Sequence, residues 1–228
     1  MNEEAEILSQ VERAKKLFDN LKEEMNKNIN SNEASLEVRN LTEEIFVKLR
    51  ICLDKLILFK LRKVDFSGDL SKVYFPISKN LQDFNNIIKK YGLDKLDYQI
   101  LDLIKFFQPF SPEGNKYLYI LHEKGAKEKH HFLIREKKET IHTRTTFQNN
   151  AGGAVSWTPK GVIFGEGVFM NGVPINPQTQ EPAYVLPNQK LIRHYEVLFK
   201  LEGYDIELIF LIISLIDTTE KIVKEILK

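Results

Sequence analysis

Leu208-Ile209-Phe210-Leu211-Ile212-Ile213-Ser214-Leu215-Ile216, with Ser214 as its one polar member, is the longest apolar stretch of the chain. It is about half the length needed to cross a bilayer, so it reads as the buried part of a helix and not as a membrane span. Gly203 breaks the chain before it and Asp205 can cap it, which predicts a closing helix over residues 206–227. The second half of that helix is amphipathic through Ile222, Val223 and Ile226. Its first half is apolar nearly all round and must be buried. A sheet covers only one face, so a second apolar helix has to supply the rest. An uncovered remainder would be a patch of a kind that soluble monomers rarely show.

The matching surface lies at the other end of the chain. Ile7, Val11, Ala14, Phe18, Leu21 and Met25 alternate spacings of four and three over residues 4–29, with Glu, Lys and Asn around them. Residues 28–32 form a polar break. A second helix is predicted over 33–63, its stripe traced by Val38, Leu41, Ile45, Leu49, Leu53, Leu56 and the stem of Lys60. Phe46, Cys52 and Phe59 widen that stripe. A short break between two long helices favours an antiparallel hairpin. An intermolecular coiled coil through the first helix is the competing arrangement, but about three heptads are near the minimum for one.

Composition bounds the remaining choices. The 228 residues are 43% hydrophobic and 29% charged, with 33 Lys and Arg against 32 Asp and Glu. That is the composition of a globular protein. A net charge of +1 gives no general attraction to nucleic acid or to an anionic membrane. Cys52 is the only cysteine, so no intrachain disulfide forms, which favours a reducing compartment. The acidic start, Met1 to Glu6, lacks the basic and apolar regions of a secretory signal. A soluble, cytoplasmic protein is expected. A lone cysteine on an apolar helix reads as a small hydrophobe, and no histidine lies near it in sequence to activate it.

The middle of the chain is built from short elements. Val73 to Ile77 is apolar and extended, and Pro76 bars it from being a central strand. Ser78 or Asn80 can cap a helix running to about Tyr91, which Gly92 ends. A further helix is predicted from about Asp94 to Gln108-Pro109. Another starts at Gly114 or Asn115 and ends at Leu121 or His122, before a charged connector from Glu123 to Lys129. Along this path stand Leu49-Arg50 with Leu53-Asp54-Lys55-Leu56, then Phe75-Pro76-Ile77, Phe107-Gln108-Pro109-Phe110, Leu118 to Leu121, and Lys129-His130. The order resembles a loose family of uncharacterised bacterial and phage proteins with an "LR..LDxL" helix, an "FPI" strand, a "QP-aromatic" turn, a short Leu-rich helix and a "DKH" motif. The resemblance covers the chain from about residue 38 and implies a β-rich C-terminal half. It implies no established activity, substrate or cofactor. Glu128 stands where the family pattern has Asp, His131 where Arg often follows, and Lys55 where His is frequent.

The second half reads mostly as strand. Phe132 to Thr140 begins one, and Ile141 to Phe147 either continues it or turns back. Residues 149–153 form a flexible turn with two adjacent glycines. Gly161 to Met170 reads as strand interrupted by glycines. Asn171-Gly172 is the strongest hairpin signal, a type I′ turn joining Val168-Phe169-Met170 to Val173-Pro174-Ile175. Pro174 puts the second arm at a sheet edge. Residues 176–188 read as loop and Leu191 to Leu201 as strand.

The fold class expected is α+β, with long helices (the N-terminal helical hairpin plus the C-terminal helix) packed with a small, mainly antiparallel sheet. A single domain over 1–228 is expected, with a helical part about 4–130, a β-rich part about 131–203 and the closing helix 206–227.

Candidate chemistry is sparse. The histidines are His122, His130, His131, His142 and His194. A zinc site needs three or four converging ligands. Adjacent His130 and His131 in a strand point to opposite faces, and His122-Glu123 has Ala126 where a zinc-protease helix has its second histidine. No metal and no cofactor are expected. The glycines of Gly161 to Gly167 lack the Lys-Ser/Thr ending of a phosphate loop and read as bulges. Ser156 has no nucleophile-elbow context. Lys124, Lys127, Lys129, His130 and His131, extended by Arg135, Lys137 and Lys138, form a local basic patch that could hold phosphates. The glutamates among them make it read equally as a solvated connector. RNases of the HEPN type use an Arg and a His several residues apart on a helix. Arg135 and His142 have a comparable separation but sit in apparent strand. Two function classes follow. One is a non-enzymatic interaction or regulatory protein, homo-oligomeric through its helices where it self-associates. The other is an RNA-acting protein or nuclease using segment 122–144, with His130, Arg135 and His142 as catalytic candidates and Lys127, Lys129 and His131 as nucleic-acid contacts. No membrane partner is expected.

Overall fold

The computed structural model describes residues 3–28, 35–127, 136–149, 153–158 and 161–228. They form an α+β protein with two compact units. One comprises residues 1–137 and 199–228, the other 138–198.

The helical unit is organised by three long helices. In α1 (Glu3–Lys27), every residue of the expected stripe is buried. Glu3, Glu4 and Glu6 stand in its first turn and Lys27 in its last, which suits the helix dipole. The helix α2 (Leu36–Leu61) is capped by Ser35, whose Oγ accepts from the Val38 N–H at 3.2 Å. The start of α1 meets the end of α2 through Glu3–Arg62 at 2.9 Å, Glu4–Lys63 at 3.6 Å and Glu6–Lys55, so the hairpin is antiparallel. The closing helix α6 (Leu208–Leu227) packs on both, burying Leu208, Leu211, Ile212, Leu215 and Ile216. Lys15 of α1 pairs with Glu220 of α6 at 3.0 Å.

Two expectations for α6 need correction. Asp205 does not cap it; the N-cap is Glu207, with no side-chain bond, and Asp205 pairs with Lys200 at 2.7 Å. The Leu201 N–H donates to Ile206 O around Gly203, whose φ is +83°, so the chain is still turning where the cap was expected. Nor is the apolar half covered all round, because Phe210 is 52% exposed and Ile213 43%. No helix among the described residues is long and apolar enough to cross a membrane.

The shorter helices are α3 (Leu81–Lys90), α4 (Tyr98–Phe106) and α5 (Leu118–Lys127). Asn80 caps α3 through its Oδ1, and Gly92 turns the chain after it at φ +63°. The helix expected from Asp94 begins at Tyr98 instead, because Asp97 accepts from the Gln99 N–H at 2.7 Å as its N-cap. The last of the three starts later and runs further than expected. A Cβ on Gly125 would lie 3.1 Å from Arg50 Cβ and 3.4 Å from Phe46 O, so within the stretch read as a charged connector this glycine is where α5 closes on α2.

The second unit holds two small sheets. Strands β1 (Glu136–Asn149), β2 (Ala154–Trp157) and β6 (Gln189–Leu201) lie in the order β2-β1-β6, with Thr145 opposite Trp157 in the antiparallel β1–β2 pair. Strands β3 (Phe169–Met170), β4 (Val173–Asn176) and β5 (Glu181–Pro182) lie in the order β3-β4-β5, all antiparallel. Asn171 at φ +50° and Gly172 at φ +79° form the expected primed turn. Phe147, Trp157, Phe164, Val173 and Ile175 make the buried core, with Trp157 and Phe164 edge-to-face at 5.4 Å.

Two strand expectations fail. Pro174 is on the middle strand and not at an edge, because its missing N–H faces the place where β5 has already ended. Its carbonyl accepts from the Ala183 N–H at 2.9 Å. Residues 161–168 are not strand: the Phe164 N–H donates to Gln180 Oε1 at 2.6 Å and the Gln180 Nε2 donates back to Phe164 O at 3.1 Å. One side-chain amide takes the place of a neighbouring strand.

Leu215→Ala removes a fully buried side chain where α6 meets the hairpin. It should lower stability by about 2–5 kcal/mol, read as a lower urea midpoint in far-UV circular dichroism.

Candidate functional site

Arg50, Asp54, Phe75, Pro76 and Gln108 meet in the helical unit. Arg50 and Asp54 are one turn apart on α2 and pair in a fork, Nη2 to Oδ1 at 2.9 Å and Nε to Oδ2 at 3.2 Å. Arg50 is 4% exposed. Its Nη2 also donates to Phe75 O at 3.0 Å, while the Phe75 N–H donates to Asp54 Oδ1 at 2.8 Å. Next to them, Gln108 is fully buried. Its Nε2 donates to Pro76 O at 2.8 Å and Ile104 O at 3.1 Å, and its Oε1 accepts from the Ser78 N–H at 2.9 Å. Residues 73–77 bury all but Tyr74, yet they pair with side chains and belong to no strand. The guanidinium and the carboxylate hold each other and the Phe75 backbone, the amide holds Pro76, Ser78 and Ile104, and Arg50 Nη1 is left buried with no hydrogen-bond partner among the described residues. Their arrangement holds chain and offers no reactive end.

Cys52 is equally committed. It is fully buried, its thiol donates to Ile7 O at 3.4 Å, and burial pushes its pKa up to about 12. It is the small hydrophobe that its helix position implies.

The segment proposed for chemistry divides. Lys129, His130, His131 and Arg135 lie outside the described residues, and Lys127 is the last residue of α5. His142 lies on β1, half-buried, its Nε2 2.9 Å from Thr145 Oγ1 and its ring 5.2 Å from that of Tyr195 on β6. Arg135, its proposed partner, lies outside the described residues. Among the described residues no group of three or more His, Cys, Asp or Glu could hold a metal ion.

What does converge is a set of tyrosines and lysines. A depression of about 600 Å³ is lined by Tyr117, Tyr119 and Tyr204, with Lys79, Lys116 and Ile206 among its walls. The clamp on residues 75–78 delivers Lys79, whose Nζ lies 3.9 Å from the centre of the Tyr119 ring. Lys116 Nζ stands 5.2 Å from the Tyr117 ring and Lys124 Nζ 5.9 Å from that of Tyr204. His122 borders Tyr119, ring centres 5.9 Å apart. The Tyr204 hydroxyl donates to Glu123 Oε2 at 2.7 Å. Burial and that carboxylate push its phenol up to about 12, so it keeps its proton at neutral pH. Ring faces that attract ammonium groups, with no nucleophile among them, are suited to binding. Sequence reasoning passed over this place. Its signal was the run Lys116-Tyr117-Leu118-Tyr119, read only for its leucines.

No family profile, curated protein or solved structure matches this chain.

Asp54→Ala would strand the buried Arg50 charge and the Phe75 N–H together. The expected loss is about 3–5 kcal/mol, seen as a lower urea midpoint. Cys52 should stay unmodified by Ellman's reagent in buffer and react only through the unfolding transition; labelling of the folded protein within minutes would contradict its burial.

Proposed function

We propose that this chain is a cytoplasmic, non-enzymatic interaction protein whose partner sits in the tyrosine–lysine basin of the helical unit. The observation that carries this is the character of that basin: three phenols and the lysines that lie over their rings, open to solvent. The commitments elsewhere support it. Arg50, Asp54 and Gln108 hold backbone, and Cys52 is buried with a raised pKa. A lone thiol kept in a core suits a reducing compartment.

The second reading, an RNA-acting protein or nuclease using segment 122–144, keeps one supporting observation. His122 and Lys124, at the start of that segment, border the basin's tyrosines.

The test is a titration of the full chain, followed by NMR, with small ring-bearing anions: a nucleoside monophosphate, an aryl phosphate and an aryl sulfonate. Shifts centred on Tyr117, Tyr119, Tyr204 and the lysines around them are expected, with each ligand recovered intact after a day. Chemical turnover of a ligand would remove the non-enzymatic reading. Failure of every anion to shift those residues would remove the basin as the site.

A further inference from the structure

We infer that the basin binds single-stranded nucleic acid, bases stacked on its tyrosines and phosphates held by Lys79, Lys116 and Lys124. The inference rests on the basin being a binding site and adds the class of ligand.

The first support is how the cations are placed. Lys116 stands in the turn two residues before α5 and Lys124 in the second turn of that helix, beside different rings. Lys79 comes from the start of α3, on another element. Three ammonium groups converging on one point would suit one phosphate. Each of the three lies beside a different ring, Tyr119, Tyr117 and Tyr204, which suits a chain of phosphates.

The second support is that these lysines lack carboxylate partners. Lys15, Lys22, Lys55, Lys63, Lys200 and Lys224 each form an ion pair. Among the described residues Lys79, Lys116 and Lys124 form none; each has a tyrosine ring beside it instead. Two carboxylates border the basin: Asp205 pairs with Lys200, and Glu123 accepts from the neutral Tyr204 hydroxyl and keeps its charge, which leaves Lys79, Lys116 and Lys124 in excess over it. The positive charge is therefore left available to an incoming anion.

The third support is the rings. Tyr117 and Tyr119 are half-buried, as is Tyr204, so each is held by its surroundings with part of its surface open. Every base has a flat π-face, and stacking on such rings is tolerant of sequence. A lysine lying over a ring face can swing aside to a phosphate when a base takes its place. A rigid duplex keeps its bases stacked inside and gains nothing from the tyrosines.

The test is fluorescence anisotropy of the full chain with a labelled, unstructured ten-nucleotide RNA, the same sequence as DNA, the matching duplex, and adenosine monophosphate as competitor. Binding of either single strand is expected, with the duplex at least tenfold weaker. With three phosphate contacts the log–log salt slope should be about −2. Changing Lys79, Lys116 or Lys124 singly to Gln should each flatten it by about 0.7. Tyr119→Leu, which keeps an apolar side chain so that folding is preserved, should weaken the strand roughly 5- to 150-fold. The RNA and DNA arms show whether a 2′-hydroxyl contributes, and binding of either carries the inference. Equal binding of strand and duplex, or a slope indifferent to the three lysines, would overturn it. If the monophosphate binds as tightly as the strand, the ligand is a free nucleotide: the inference falls and the basin stands as a binding site. Cleavage of the bound strand would leave the inference in place and remove the non-enzymatic reading.

Discussion

The helical unit depends on how it buries an extended segment that has no strand beside it. Phe75 and Ile77 are apolar and drive residues 73–77 inward, but an extended backbone carries donors and acceptors in with its side chains. A buried amide left unmade costs about 1–3 kcal/mol. Arg50 and Asp54 answer this from one turn of α2, accepting from the Phe75 N–H and donating to its carbonyl. Gln108 does the same for Pro76 and Ser78 from the end of α4. The proline between them has no N–H to satisfy, which is why it fits there. The arrangement fixes α2, the segment and the end of α4 to one another. Lys79 and the Asn80 cap follow directly, so the placement of the basin's first lysine is a consequence of the clamp.

The β unit meets the same problem with the same device. Gln180, at φ +60°, turns its amide onto Phe164 and makes both bonds that a strand would make. Its own carbonyl accepts from Trp157 Nε1 at 3.2 Å, so one residue ties the loop to the core indole. In both units an aromatic side chain is carried into a core on irregular backbone, and a side chain stands in for the missing ladder. Such pairs are expensive to break and hard to shift, since low dielectric surroundings penalise every lost partner.

This explains which parts of the fold were legible in the sequence. Stripes of period 3.6 survive translation into structure because they depend only on local spacing: Ile7 to Met25 and Val38 to Leu56 are buried as read. Asn171-Gly172 is legible because so few residues tolerate positive φ at two successive positions. Residues 161–168 were misread because apolar content signals burial and says nothing of what satisfies the backbone. Pro174 was placed at an edge by a rule about missing donors, which holds for long ladders; here the ladder ends at its donor position. Asp205 looked like a cap, but the turn at Gly203 had not finished. The basin was least legible. Its residues come from four stretches, at 79, 109, 116–124 and 204–206, and none has a diagnostic spacing. Only the clamp and the return of the closing helix bring them together.

A net charge of +1 and a cationic basin are compatible because electrostatics at this scale is local. At physiological ionic strength charges are screened over about 8 Å, so a ligand in the basin feels Lys79, Lys116 and Lys124 far more than the balance of the whole chain. Two carboxylates stand at the basin itself, Asp205 paired with Lys200 and Glu123 bonded to Tyr204; others are paired along the hairpin with Lys55, Arg62 and Lys63 or on α6 with Lys15 and Lys224. Pairing those charges within the fold leaves the basin's lysines over rings, where the attraction is weak and easily exchanged for a phosphate. The hairpin and the closing helix thus pair their lysines with carboxylates, while Lys79, Lys116 and Lys124 lie beside tyrosine rings.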